Sequence, residues 1–403
     1  MLFKIGLILI PFENLFFAPS SGWAAIAPII FFFYVLINFK SAFKNIKKVE
    51  IYIILTLILV TLTNYIRFSF ITKNLIDNII TLILGYTFYI ALRIRYLTKK
   101  SDFTKDINIL FNSYLVSLII GLVQFLTYRL KIESIINLFR ILSKRFYYPR
   151  VQLTYTEPSF IPIHLFGVML VILIFCLRNN VKLKKKLYII FFLNIILTNL
   201  IVLSARLALD TIIVSCIVGF CYILKSKKII YKILFFISIP IFISGIFYIV
   251  NTNARLDRIL KNGVYTDASL ASRWFRINAS IKGYKNSPYK LLTGYGIGNL
   301  YIPFDVGYAG AKKEYKNDYL FEVYALKGSK PTSLFSMPIK LISEFGLIIF
   351  SLILLVTFSY KYLDIYLLIL YLYLQFDSYA LYTIWFYIFL KNNSEKIFNK
   401  EIE

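Results

Sequence analysis

Arg206 lies in Leu203-Ser204-Ala205-Arg206-Leu207 between two long apolar runs, with Asp210 one helical turn further on. A guanidinium at the end of a membrane helix is costly to hold there, so it points to an anionic ligand. Its planar fork of donors fits phosphate oxygens in pairs. The plainer reading is that Arg206 and Asp210, at i and i+4, neutralise each other. Glu157 stands in Arg150-Val-Gln-Leu-Thr-Tyr-Thr-Glu157-Pro158-Ser159, just before another apolar run. At the positive end of a helix its carboxylate stays ionised, and with Ser159 and Arg150 nearby it is placed as a general base. The alternative is a helix-capping acid. His164, the only histidine, falls seven residues later on the same helix face and reads as a hydrogen-bonded core imidazole. One histidine, with Cys176, Cys216 and Cys221 all inside apolar runs, gives neither a zinc-type site nor an exported disulfide, and no metal or cofactor is expected.

These residues must be positioned by membrane helices. Apolar residues make up 59% of the 403 positions and the mean hydropathy is +0.71, beyond the roughly 45–50% of a soluble domain. Runs able, or nearly able, to cross ~30 Å of hydrocarbon occupy 2–19, 22–39, 50–66, 75–92, 107–128, 160–177, 187–204, 207–224, 233–250, 339–359, 362–376 and 378–390. The last two are short. The expectation is an all-α polytopic protein of about twelve transmembrane helices. The first run, behind Lys4, looks like a secretion signal, but no small-x-small cleavage site follows and the next run begins at once, so it is read as the first helix.

Only 16% of residues are charged, yet the net charge is +26. The basic residues crowd alternate short loops: Lys40 to Lys48, Arg93 to Lys105, Arg178 to Lys186 and Lys225 to Lys232. That pattern is retention beside an anionic inner leaflet, not nucleic-acid binding. It places those loops and both termini in the cytoplasm. The chain then divides into membrane helices 1–250 with an outer loop at 129–159, a large outer loop at 251–338, and C-terminal membrane helices with a tail at 339–403. Both outer loops are basic; 251–338 carries 13 Lys and Arg against 6 Asp and Glu. Long translocated loops escape the charge rule, so their charge needs another cause, and an anionic ligand is the simplest.

Within the large loop, Leu270, Trp274, Ile277 and Ile281 recur at helical spacing over 269–285, with Ser269, Arg273, Arg276 and Ser280 opposite and Asp267 as the cap. The apolar stripe is expected to lie against the membrane or the bundle. Gly294-Tyr-Gly296-Ile-Gly298-Asn299 follows as a glycine-rich turn without the βαβ context of a dinucleotide site.

Taken in order, Arg150 to Ser159 before a span, Ser204-Ala205-Arg206 at an outer junction, Ser272-Arg273, Gly294-x-Gly296-x-Gly298-Asn299, and Glu344-Phe-Gly346 opening the next helix resemble the bacterial O-antigen polymerase (Wzy-type) and O-antigen ligase superfamily. The resemblance covers about 140–350. It implies a GT-C-like glycosyltransferase of the inner membrane, working at the periplasmic face on undecaprenyl-diphosphate-linked oligosaccharides, with a chain-length regulator as a further partner. A hydroxyl of one lipid-linked repeat unit would attack the anomeric carbon of the growing glycan, and the lipid diphosphate would leave. Arg206 and Arg273 would stabilise that leaving group and Glu157 would take the acceptor's proton. Arg150, Arg276, Ser159, Gly296 and Asn299 would bind diphosphate or glycan. Ligases of the superfamily usually carry a histidine near the end of the large loop, and Lys330 to Pro338 has none, which favours a polymerase. The rivals are a ligase, a lipid-linked oligosaccharide flippase or transporter, and a non-enzymatic assembly subunit. A transporter predicts deep charges and internal repeats, and the two halves show no repeat.

Overall fold

The computed structural model describes residues 1–16, 26–67, 72–225, 254–263, 266–314 and 333–398. Among these the regular structure is helical. Among the described residues, seven helices are long and apolar enough to cross a membrane: Lys48–Ile66, Thr72–Thr98, Phe103–Leu130, Pro158–Arg178, Lys185–Val202, Arg206–Ile223 and Met337–Thr357. An eighth arises if Ala27–Ile37 and Phe39–Asn45, bent by 93° at Asn38, count as one span. The chain is an all-α polytopic membrane protein.

Several expected runs take other forms. The first gives only Leu2–Leu9, because Pro11 has no N–H to continue the helix and Glu13 and Asn14 then bond to Thr154 through their backbone amides. The runs at 362–376 and 378–390 become Leu363–Tyr373 and Tyr382–Phe398. The run at 233–250 lies outside the described residues.

Pro158–Arg178 is the axis of the bundle and Lys48–Ile66 its outermost helix; 83% of the apolar window is buried in the first and 6% in the second. The axial helix can be apolar all round because protein surrounds it, whereas the outer one meets lipid with Ile54, Leu55, Leu59 and Leu62. Over Ile163–Leu170 the axial helix widens to π geometry, a deformation that recurs at functional sites.

The loop helix forms as Ala268–Gly283, and Asp267 caps it by accepting from the Leu270 amide at 2.9 Å. The side that packs on protein is a third one, beside the large apolar stripe and the arginine face. Trp274 and Ile281 are each 49% exposed, and Ala271, Phe275 and Ala279 are buried against Phe304 and Ala311 of Tyr301–Lys312. Small residues decide this: a Cβ on Gly283 or Gly307 would strike the backbone of the facing helix, so the pair packs closer than large apolar side chains permit.

The bundle has two chemically different ends. Asn78 and Arg93 lie on one helix about 22 Å apart at 1.5 Å per residue. At the Arg93 end the basic loops meet: Asn45 bonds to Thr98, and Asn179 to Tyr362, which in turn bonds to Ser394. At the Asn78 end, Lys340 bonds to Asn78 and to the carbonyl of Asp377.

Candidate functional site

Gln375, Phe376 and Asp377 form a short polar link between two apolar helices, and the loop arginines and Arg206 converge on it. Arg206 donates through Nε and Nη2 to Gln375 Oε1 at 3.1 and 2.6 Å. Gln375 donates in turn to Asp210 Oδ1 at 3.1 Å, and Tyr371 donates to the same oxygen. Arg206 and Asp210 themselves approach only to 3.8 Å. The expected i, i+4 pair is therefore loose, and an amide bridges it. The guanidinium also lies 5.3 Å over the Phe376 ring, a face-on contact that holds its plane.

The loop arginines reach the same link from the other side. Asp377 accepts from Ser333 Oγ at 2.9 Å and from the backbone amides of Leu334 and Phe335 at 2.7 and 3.0 Å. That turn sets the Phe335 ring beneath Arg273 and Arg276, at 4.9 and 5.1 Å. Arg276 also donates to the Ser333 carbonyl at 3.0 Å. Burial pulls the Arg276 guanidinium below its ordinary value, and Asp377 opposes the shift. Arg206, Arg273, Arg276 and Lys340 thus gather about Asp210 and Asp377, an excess of donors suited to an anion.

Glu157 is tied to this assembly through aromatic stacking. Phe160, three residues on, stacks on Phe376 with ring centres 5.5 Å apart. Arg145 Nη1 lies 2.6 Å from Glu157 Oε1, and Ser159 Oγ donates to Oε2 at 3.2 Å. Pro158 opens the helix as expected, but Glu157 makes no capping bond to its amides, so the capping reading gives way to an oriented carboxylate. Each oxygen keeps a lone pair for a further donor, and the side chain is 35% exposed. Arg150 stays exposed in the neighbouring loop.

Gly296 and Asn299 face inward. Gly294 to Leu300 are all buried, and the turn clasps the kink at the Glu344-Phe-Gly346 motif: Tyr295 N bonds Ser343 O at 2.9 Å, Gly296 N bonds Glu344 O at 2.8 Å and Gly298 N bonds Glu344 Oε1 at 3.0 Å. Tyr379 takes the other Glu344 oxygen. Gly294, Gly296, Gly298 and Gly346 all have positive φ, which a side chain resists. Two motifs far apart in sequence are one structural unit.

Beneath the Glu157 loop His164 is the hydrogen-bonded core imidazole expected, with partners that sequence reading did not give. His164, fully buried, meets Glu13 Oε1 at 3.0 Å through Nε2 and the Tyr114 hydroxyl at 2.9 Å through Nδ1. Tyr155 stacks on the imidazole at 4.5 Å, and burial pushes its phenol well up. Glu13 is 2% exposed and precedes no recognisable motif. Gln375 and Asp377 were legible in principle, since with Ser378 they interrupt the otherwise apolar stretch 365–382. Among the described residues, no group of three or more His, Cys, Asp or Glu side chains could hold a metal ion.

No family model, curated protein or solved structure matches the chain.

Proposed function

We propose that the chain is a bacterial inner-membrane glycosyltransferase that polymerises undecaprenyl-diphosphate-linked repeat units into O-antigen or a related surface polysaccharide. The observation that supports it most is the convergence of Arg206, Arg273 and Arg276 on Gln375, Phe376 and Asp377. A cation cluster of this kind suits a leaving diphosphate, whose developing charge guanidiniums stabilise with paired hydrogen bonds. Glu157, oriented by Arg145 and Ser159, takes the proton of the attacking hydroxyl. Arg150 meets the glycan from its exposed loop. In this reading the arrangement is GT-C-like with about twelve crossings, the arginine end faces the periplasm, and the basic loops and both termini face the cytoplasm.

A flippase would use the same arginines to carry the lipid diphosphate across. Cells carrying Arg206→Ala separate the two. A polymerase defect leaves glycans of a single repeat unit on the outer face, since export still runs. Repeat units trapped on the cytoplasmic leaflet would instead mark a flippase.

A further inference from the structure

At the opposite end of the bundle from Arg206, a cavity of about 760 Å³ opens between the loop before Lys48–Arg67, the end of Thr72–Thr98 and the last turns of Tyr382–Phe398. Lys47, Arg93, Lys100 and Lys396 line it, against one lining carboxylate, Glu395. The wall departs from regular structure on this side: Ile94–Thr98 is a π turn, and Lys100 holds a left-handed φ of 49° without being glycine.

Arg93 is the feature that points to a ligand. It is 5% exposed, and its Nη1 donates to both Glu50 oxygens at 2.8 and 3.0 Å. Glu50 is already well supplied, since the hydroxyls of Tyr86 and Tyr89 and the amide of Lys47 also donate to it. These contacts fix the guanidinium. A guanidinium held in place at the wall of a basic cavity is a preorganised donor for an anion.

We infer that this cavity binds a phosphate group, with Arg93 as the fixed donor and Lys47, Lys100 and Lys396 as the surrounding charge. A basic pocket between helices at a membrane face matches the depth of a lipid headgroup. The same chemistry would accept a soluble phosphate or diphosphate. Nothing in this assignment depends on the glycosyltransferase reading.

The test uses the purified full-length chain in nanodiscs. One arm adds phosphatidylglycerol to phosphatidylcholine discs and counts the anionic lipid retained by native mass spectrometry. The other adds pyrophosphate to pure phosphatidylcholine discs and follows the melting temperature. The variant combines Lys47→Gln, Lys100→Gln and Lys396→Gln; all three side chains are exposed, so the packing is kept. The expected result is retention of phosphatidylglycerol by the wild type and by Arg206→Ala, weakened about tenfold or more in the triple variant. If pyrophosphate instead raises the melting temperature of the wild type and not of the triple variant, the phosphate site stands and its ligand is soluble. Equal behaviour of wild type and triple variant in both arms overturns the site. So does equal loss in Arg206→Ala, because the anion would then be bound at the other end.

Discussion

Arg145 Nη1 lies 2.6 Å from Glu157 Oε1, closing an ion pair across twelve residues of the loop that precedes the axial helix. The pair is about a third exposed, so its worth to stability is small, roughly 0–1 kcal/mol. Its consequence is orientation: with Ser159 on the other oxygen, the carboxylate plane is held and each oxygen keeps one free lone pair for a further donor.

Glu157→Gln should therefore lower elongation by about 10²-fold or more while lipid-linked substrate still binds, because the amide keeps the shape and abolishes the base. Arg145→Ala should cost less, about tenfold, since it frees the carboxylate without removing it. The two are compared by single-turnover elongation and by equilibrium binding of the same lipid-linked unit. Weakened binding with unchanged turnover in Glu157→Gln would make the residue a binding group.

The clasp between Gly294–Asn299 and Glu344 is a stability element. Gly294 and Gly346 have φ of 72° and 79° with ψ near 180°, a region open almost only to glycine. A Cβ on either would also strike backbone across the clasp. Gly346→Ala should lower stability by about 3 kcal/mol or more, strain and clash together. Glu344→Ala strands the Gly298 amide and the Tyr379 hydroxyl, at about 1–3 kcal/mol for each donor. Thermal unfolding in detergent measures both, and a melting temperature unchanged in Gly346→Ala would contradict the backbone geometry.

The contrast between what the chain announces and what it conceals has physical causes. Apolar runs, the Asp267 cap and Pro158 at a helix start are local and survive into the fold. The protein-facing side of Ala268–Gly283 has no such signal, because large apolar residues at helical spacing mark a stripe that can meet lipid as well as protein. Ala271 and Ala279 pack instead, through close backbone approach to Gly307, and Trp274 and Ile281 stay outward. Non-local relations had no local signal at all. Glu13 reaches His164 across 151 residues, and Gly298 reaches Glu344 across 46.

His164 serves packing and not chemistry. Both ring nitrogens are taken, by Glu13 and Tyr114, and the residue is fully buried. His164→Phe keeps the ring but takes a hydrogen-bond partner from the buried Glu13 and Tyr114, which should cost about 1–3 kcal/mol for each group. Elongation per folded molecule should stay within about threefold, a modest change beside the effect of removing a transition-state group. Unchanged stability with a collapse of turnover would place His164 in the reaction.

If Arg206 stabilises a leaving diphosphate, as proposed, elongation of a lipid-diphosphate repeat unit by the purified protein alone measures it directly. Gln375 and Phe376 fix the plane of the guanidinium, so geometry matters as much as charge. Arg206→Ala should lower the rate by about 10²-fold or more, the scale for removing one preorganised donor. Arg206→Lys should recover little of it, because an ammonium keeps the charge and loses the two-pronged fit. Elongation at the wild-type rate by a folded Arg206→Ala protein would contradict the account.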